Sequence, residues 1–199
     1  MRVIPWLENL VSCQKINKDL AVASGRISSL VDSIKSHVHM DRTNELQPTN
    51  LHQDIENTLT LLGFKLREKN IEVTKKFCEA MPEVPAYVGE LNQVWTNLID
   101  NAIFSLQKNG LLAVETKCNE KTVTVAIIDN GGGISPENIT RIFEPFFTTK
   151  KMGEGTGIGL DIVNRIVKRH NGEIKVKSEP GRTEFSVTIP LVPIPKPIQ

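Results

Sequence analysis

The chain has 199 residues, enough for one ordinary domain and a small appendage. Lys plus Arg number 24 against 23 Asp plus Glu, a formal net charge of +1 that argues against a nucleic-acid-coating protein. With 39 % hydrophobic and 24 % charged residues the composition is globular rather than disordered, and no apolar run approaches the roughly 18 residues that span a bilayer. Along the chain, Ile27, Leu30, Val31, Ile34 and Val38 fall on one helical stripe, which predicts an amphipathic helix ending near residues 41–44, ahead of Pro48. A single such helix cannot bury its stripe alone, so it must pack on the following domain, a second copy or a partner.

Residues 48–51 read as a short extended segment, after which Thr49 or Asn50 caps a helix carrying Ile55, Leu59, Leu62 and Leu66 on one side. Residues 70–77 alternate Ile71, Val73 and Phe77 with charges, as a half-buried strand does. A Pro-marked connection (residues 81–85) leads to a helix over residues 90–106, with Leu91, Val94, Leu98, Ile99 and Ala102 periodic. Asn109-Gly110 turns into strands over 111–117 and 122–129. A helix over 158–170 ends at Asn171-Gly172, and a hairpin pairs 173–178 with 184–189 across Pro180-Gly181. Residues 190–199 hold four of the eleven prolines and read as a free tail. The sum is an α/β layer pair with an antiparallel or mixed sheet, preceded by a helical stalk. Cys13, Cys78 and Cys118 offer neither a disulfide framework nor zinc spacing, and the N-terminal apolar residues are interrupted by Glu8, Asn9 and Ser12, so the chain is expected to be cytoplasmic with reduced thiols.

Seven of the 13 glycines lie between residues 131 and 159. One cluster, Gly131-Gly132-Gly133, follows the strand that ends at Asp129. The other, Gly153, Gly155, Gly157 and Gly159, leads into a helix, where backbone N–H groups can face an anion. Either cluster alone reads as a flexible loop; the two bracketing a connection of roughly 20 residues read better as an ordered nucleotide site. No Gly-Lys pair exists to make a P-loop, and the polar stretch before Gly153 is not the strand of a dinucleotide-binding unit.

Four segments carry a resemblance. Gln93-Val-Trp-Thr-Asn97-Leu-Ile-Asp-Asn101-Ala resembles the N box of the GHKL superfamily of ATP-binding domains, which includes sensor histidine kinases, gyrase-type ATPases and MutL. Asp129-Asn-Gly131-Gly-Gly133-Ile134 resembles its G1 box, residues 141–150 its F box, and Gly155-Thr156-Gly157-Ile158-Gly159-Leu160 its G2 box. They stand in the family's order, over about residues 47–190, in wording closest to the histidine kinases. The resemblance implies an α+β fold, a two-layer sandwich of Bergerat type with a mixed sheet covered by helices. It divides the chain into a helical dimerisation segment (1–45), an ATP-binding catalytic domain (46–190) and a Pro-rich tail (191–199). Asn101 is expected to place an amide oxygen on Mg²⁺, with Asn97 one turn earlier on the same helix face. Asp129 is expected to accept from the adenine amino group, with Gly131, Gly133 and Ile134 shaping that pocket. Gly155, Gly157 and Gly159 would bring backbone amides to the phosphates, and Thr156, Ile158 and Leu160 of the same box are expected in the nucleotide site. The segment between the glycine clusters reads as an ATP lid, with Phe143, Phe146 and Phe147 as an aromatic plug and Lys150 as a mobile cation for the terminal phosphate. Asn97, Asn101 and Lys150 are the residues expected to serve transfer.

Three departures shape the functional expectation. None of His37, His39, His52 and His170 has the acid-then-Pro context of a phosphoacceptor, so the acceptor histidine is expected outside this chain and these four read as surface or capping residues. Asn97 stands where the ATPase branch carries a basic Glu, which favours phosphoryl transfer to a protein histidine over hydrolysis. Ile103-Phe104-Ser105 replaces a basic residue that many histidine kinases carry after the metal-binding Asn. Expected partners are ATP, an acceptor-histidine helix upstream or in trans, a response regulator and a second copy of the full protein, but no nucleic acid. The competing readings are a non-catalytic ATP-gated interaction module and an anti-sigma-type serine kinase.

Overall fold

The computed structural model of the chain describes residue 16 and residues 45–87, 89–151 and 155–191. Strand β1 (Leu46–Thr49) leads through Asn50 into helix α1 (Leu51–Leu61), and Asn50 Oδ1 accepts from the Gln53 N–H at 3.1 Å as its cap. At Leu62 the helix breaks, and α2 (Gly63–Glu68) follows with Leu66 on the buried side. Then come β2 (Glu72–Lys76), β3 (Val84–Tyr87) and the long helix α3 (Glu90–Ser105). Strands β4 (Leu111–Cys118) and β5 (Thr122–Asp129) precede a one-turn helix α4 (Pro136–Ile139). Helix α5 (Gly159–Arg169) and the hairpin β6 (Glu173–Glu179) and β7 (Arg182–Pro190) complete the order.

The main sheet runs β2-β4-β5-β7-β6, with β2 parallel to β4 and the remaining pairs antiparallel. It is the mixed sheet of an α+β two-layer fold. Alternation decides its faces: Val123, Val125 and Ile127 of β5 are buried, as are Leu112 and Val114 of β4 and Val187 and Ile189 of β7. These residues meet Val94, Trp95, Leu98 and Ile99 of α3 and Val163, Ile166 and Val167 of α5 in one core. Leu51, Ile55, Leu59, Leu62 and Leu66 join it from α1 and α2, on the stripe that their spacing predicts. Asn171 ends α5 at φ 54°, and the Gly172 N–H returns to the Val167 carbonyl at 2.9 Å, the helix stop expected from Asn171-Gly172.

Two elements escape the sequence reading. The Pro-marked connection contains β3, which pairs antiparallel with β1 and sets Pro85 opposite Pro48. A two-stranded ribbon consists of edges, so prolines that lack an N–H donor are tolerated there. The short α4 lies in a segment read as loop. A third difference concerns His170, which caps the C-terminus of α5 as one of its two readings has it, but is buried rather than on the surface. Its Nε2 accepts from the Tyr87 N–H at 3.1 Å and its Nδ1 lies 2.8 Å from the Ile166 carbonyl, which fixes a neutral ring tying β3 to the end of α5. The helix expected over residues 27–40 and the tail beyond Leu191 lie outside the described residues.

Candidate functional site

A cleft of about 730 Å³ opens between α3, the end of β5, the glycine segments and the connection from α4 to α5. That is the size of a pocket for a small organic ligand. One face of α3 forms its floor, because Asn97, Asn101, Phe104 and Ser105 follow each other at spacings of three, four, seven and eight residues. Asn97 Nδ2 donates to the Gln93 carbonyl at 2.9 Å, which turns Oδ1 toward the start of α5. A Cβ at Gly159 would stand 2.9 Å from that oxygen, so glycine lets the helix start against the amide. No side chain caps the N-terminus of α5, and its first-turn N–H groups are a natural anion seat.

Asp129 closes the inner end. It is 4 % exposed, and its Oδ1 accepts from Ser105 Oγ at 2.8 Å and from the Gly131 N–H at 2.9 Å. Burial raises its pKa above the ordinary aspartate value, against the opposing pull of those two hydrogen bonds. A Cβ at Gly131 would fall 2.5 Å from Ser105 Oγ, so a side chain there would break this contact. The loop that follows is stitched to the hairpin: Gly131 accepts from the Gly181 N–H at 3.1 Å, and the Ile134 N–H donates to Ser178 Oγ at 2.8 Å.

The opposite wall comes from Ile142 and residues 147–150. Lys150 Nζ donates to Asn101 Oδ1 at 3.0 Å and stands 4.0 Å from the centre of the Phe104 ring. The three phenylalanines occupy three different environments. Phe147 lines the cleft beneath the Arg141 guanidinium, 4.4 Å from its ring, and Phe143 packs half-buried against the core, whereas Phe146 is 68 % exposed. Phe146 also holds a left-handed φ of 67°, and its N–H donates to the Gly157 carbonyl at 2.9 Å. Gly157 is itself left-handed, at φ 69°, and a Cβ there would run into the Phe146 backbone.

Of the residues singled out in the sequence, Asn97, Asn101, Asp129, Gly133, Ile134, Phe147, Lys150, Gly155, Thr156, Gly157, Gly159 and Leu160 line the cleft. Gly131 stands behind Asp129, Phe143 packs on the core and Ile158 is buried within it, so these three shape the walls from outside. Sequence reasoning missed Phe104, Ser105, Ile142, Thr148 and Thr183, which also line it. Ser105 was findable, four residues after Asn101 on the same helix face; Thr183 depends on a hairpin register that no local signal reports.

Among the described residues no group of three or more His, Cys, Asp or Glu could cage a metal, and no helix is long and apolar enough to cross a membrane. Asn97 and Asn101 of α3 offer the cleft neutral amide oxygens, beside Asp100, whose carboxylate pairs with Lys65. The amides suit a hard cation that takes its remaining ligands from phosphate and water, as Mg²⁺ does. The carboxylate at the far end, the uncapped helix start and the glycine cradle likewise fit a nucleotide.

A family model described as histidine kinase-, DNA gyrase B-, and HSP90-like ATPase matches residues 87–193. Sensor histidine kinase ZraS of Salmonella typhimurium is 33 % identical over 168 residues, which is 83 % of this chain and 35 % of the relative. The chain thus spans about a third of the length of such full-length relatives. The solved catalytic domain of histidine kinase ThkA superposes with a TM-score of 0.68 at 30 % identity, covering 74 % of this chain and 98 % of that one. ThkA solved in complex with response regulator protein TrrA gives a TM-score of 0.69 at 26 % identity, over 85 % of this chain and 49 % of the other. The chain belongs to the histidine kinase-, DNA gyrase B- and HSP90-like ATPase family, and its ATP-binding domain is of the sensor-histidine-kinase catalytic kind.

Proposed function

We propose that this domain binds ATP with Mg²⁺ and transfers the γ-phosphoryl group to a histidine outside this chain. The observation that carries the reading is the opposition of two chemistries across one cleft: a buried carboxylate at Asp129, and at the other end the amides of α3 facing the uncapped start of α5. In this reading the adenine amino group donates to Asp129, whose Oδ1 already accepts from Ser105 and Gly131 and so leaves Oδ2 for the base. Backbone N–H groups from Gly155 to Gly159 receive the phosphates. Mg²⁺, held by Asn101 Oδ1 with water and phosphate oxygens completing its shell, would supply charge neutralisation during transfer. Lys150 adds a second positive charge that can follow the terminal phosphate.

Asn97 decides between transfer and hydrolysis. Its amide has no basic lone pair and is spent on Gln93, so no side chain at that position activates water. A neutral acceptor imidazole brings its own lone pair and needs no such base. The reading assigns residues 46–190 to the catalytic domain and residues 1–45 to a dimerisation helix of a longer homodimeric protein. Its phosphoryl group passes on to a response regulator, and it works in the cytoplasm, where ATP is supplied. The ThkA complex with TrrA supports the partner class.

Titration calorimetry with a non-hydrolysable ATP analogue, with and without Mg²⁺, tests the binding step. Wild type is expected to bind in a Mg²⁺-dependent manner, and Asp129→Asn and Asn101→Ala to lose detectable binding. Equal affinity in all three proteins would overturn the site. Incubation with labelled ATP and a separate histidine-bearing acceptor helix tests transfer. Acid-labile phosphate on the acceptor supports the reading; acid-stable phosphate, or label on His37 or His39 of this chain, contradicts it.

A further inference from the structure

Lys69 lies outside the cleft and makes an unusual set of contacts. It follows α2 as its C-terminal cap residue, and its ammonium reaches across to the end of α3. Nζ lies 2.7 Å from the Ile103 carbonyl, 3.2 Å from that of Phe104 and 2.8 Å from that of Leu106. An ammonium has three N–H donors, and here each has a carbonyl to meet. The last carbonyls of a helix have no partner within it and gather its negative dipole end, so a cation is well placed there. The same turn is pinned on its other side, where the Asn109 N–H donates to the Lys69 carbonyl at 2.9 Å and Asn70 Nδ2 donates to Asn109 Oδ1 at 2.6 Å.

The turn that Lys69 holds carries two cleft residues, Phe104 and Ser105. Ser105 donates to Asp129, and its hydroxyl and carbonyl form the surface against which Gly131 is packed too closely for a Cβ. A shift of a few tenths of an ångström in the end of α3 therefore passes directly to Asp129 and Gly131. We propose that Lys69 is a positioning residue for base recognition: by clamping three carbonyls at the end of α3 it fixes Ser105, and through Ser105 the carboxylate that reads adenine. This assignment rests on the reading of the cleft as an adenine-nucleotide site.

Two measurements on Lys69→Met and Lys69→Arg test it. In nucleotide-free protein, amide NMR shifts of Ser105, Asp129 and Gly131 are expected to move in Lys69→Met and to return most of the way in Lys69→Arg. Titration with Mg²⁺ and non-hydrolysable analogues of ATP and GTP is then expected to show ATP bound roughly tenfold more weakly by Lys69→Met, with a reduced preference for adenine over guanine. Lys69→Arg, which keeps a charged donor, recovers most of that preference. Lys69→Gln, retaining two N–H donors, substitutes if the methionine variant does not fold and is expected to fall between the two. Loss of thermal stability with unchanged amide shifts and unchanged adenine preference would mark Lys69 as structural only and overturn the proposal. Shifted amides in a protein whose wild type binds neither nucleotide would instead overturn the adenine-site reading while the clamp itself stands.

Discussion

Ser105 Oγ stands 2.8 Å from Asp129 Oδ1 and 2.9 Å from the Ala102 carbonyl. The last turn of α3 and the last residue of β5 are thus joined by one hydroxyl at the inner end of the cleft. A serine hydroxyl has one proton, so the two acceptors compete for it, and the carboxylate is the stronger acceptor when ionised. The contact orients Asp129 at the cost of fixing one rotor.

Ser105→Ala removes this orientation and leaves Oδ1 with the Gly131 N–H alone. A hydrogen bond to a charged group contributes about 1.5–3 kcal/mol, of which a solvated cleft retains part. The expected outcome is ATP affinity weakened by roughly five- to twentyfold with ADP weakened equally, since the lesion lies at the base end. Calorimetric titration with both nucleotides checks this. A loss confined to ATP would place the effect at the phosphates instead.

Protonation of Asp129 provides a second check. Burial raises its pKa, so the acceptor proposed for the adenine amino group is lost on acidification sooner than at the ordinary value of about 3.9. Nucleotide affinity is expected to fall as pH drops toward that raised value, and Ser105→Ala to shift the fall to higher pH, because the serine hydrogen bond works against burial. For stability the sign reverses. A carboxyl with a raised folded pKa favours the fold at low pH, and that contribution is lost as pH rises from the unfolded value through the folded one. At neutral pH Asp129→Asn is therefore expected to melt no lower than wild type while losing nucleotide. Thermal melts paired with titrations over pH 4.5–8 read both effects.

His170 gives the opposite pH dependence. Burial is the largest influence holding its pKa below the ordinary 6.5, with Arg169 adding to it and the Ile166 hydrogen bond opposing. The unfolded chain then binds a proton that the native ring refuses, so stability is expected to fall as pH drops below about 6.5 and to level off below the folded pKa. Glu90, whose carboxyl is raised by burial despite Arg169, has the contrary sign nearer its ordinary value of 4.5. His170→Leu takes the acceptor from the Tyr87 N–H and leaves the Ile166 carbonyl with the backbone N–H of residue 170 alone, and a loss of about 1–3 kcal/mol is expected, with a flatter profile between pH 5.5 and 7.5. Urea unfolding at the two pH values separates the intercept from the slope.

What could be read from the sequence follows the range of the signal. The stripe Ile55, Leu59, Leu62 and Leu66, the Asn50 cap and the Asn171-Gly172 stop are local, and each stands where its spacing places it. Asn97 and Asn101 share a face because helix geometry makes them do so. Strand β3 was hidden because prolines suppress the strand signal, and only pairing with β1 makes the ribbon. The burial of His170 and the clamp at Lys69 depend on partners 83 and 34 to 37 residues away, which no periodicity encodes. The separate fates of Phe143, Phe146 and Phe147 depend on the left-handed turn at Phe146, a backbone feature set by its contact with Gly157.

Lys150 offers the clearest separation of binding from transfer. Its ammonium donates to Asn101 Oδ1, the oxygen assigned to Mg²⁺, and rests over the Phe104 ring at 4.0 Å. Phe104 thus holds the cation beside Asn101, where a cation–π contact contributes about 0.5–2 kcal/mol. In the proposed function Lys150→Ala removes a charge that serves the γ-phosphate and not the β-phosphate, so ADP affinity is expected to stay within about twofold of wild type. The rate of transfer to an added acceptor helix should fall at least tenfold at saturating ATP, because charge on the departing phosphoryl group is no longer met by the ammonium. Phe104→Ala, which loosens the lysine without removing it, is expected to give a smaller loss of the same kind. Single-turnover transfer measured beside ADP titrations distinguishes the cases. A large loss of ADP affinity in Lys150→Ala would mean that the lysine shapes the cleft as a whole rather than serving the terminal phosphate.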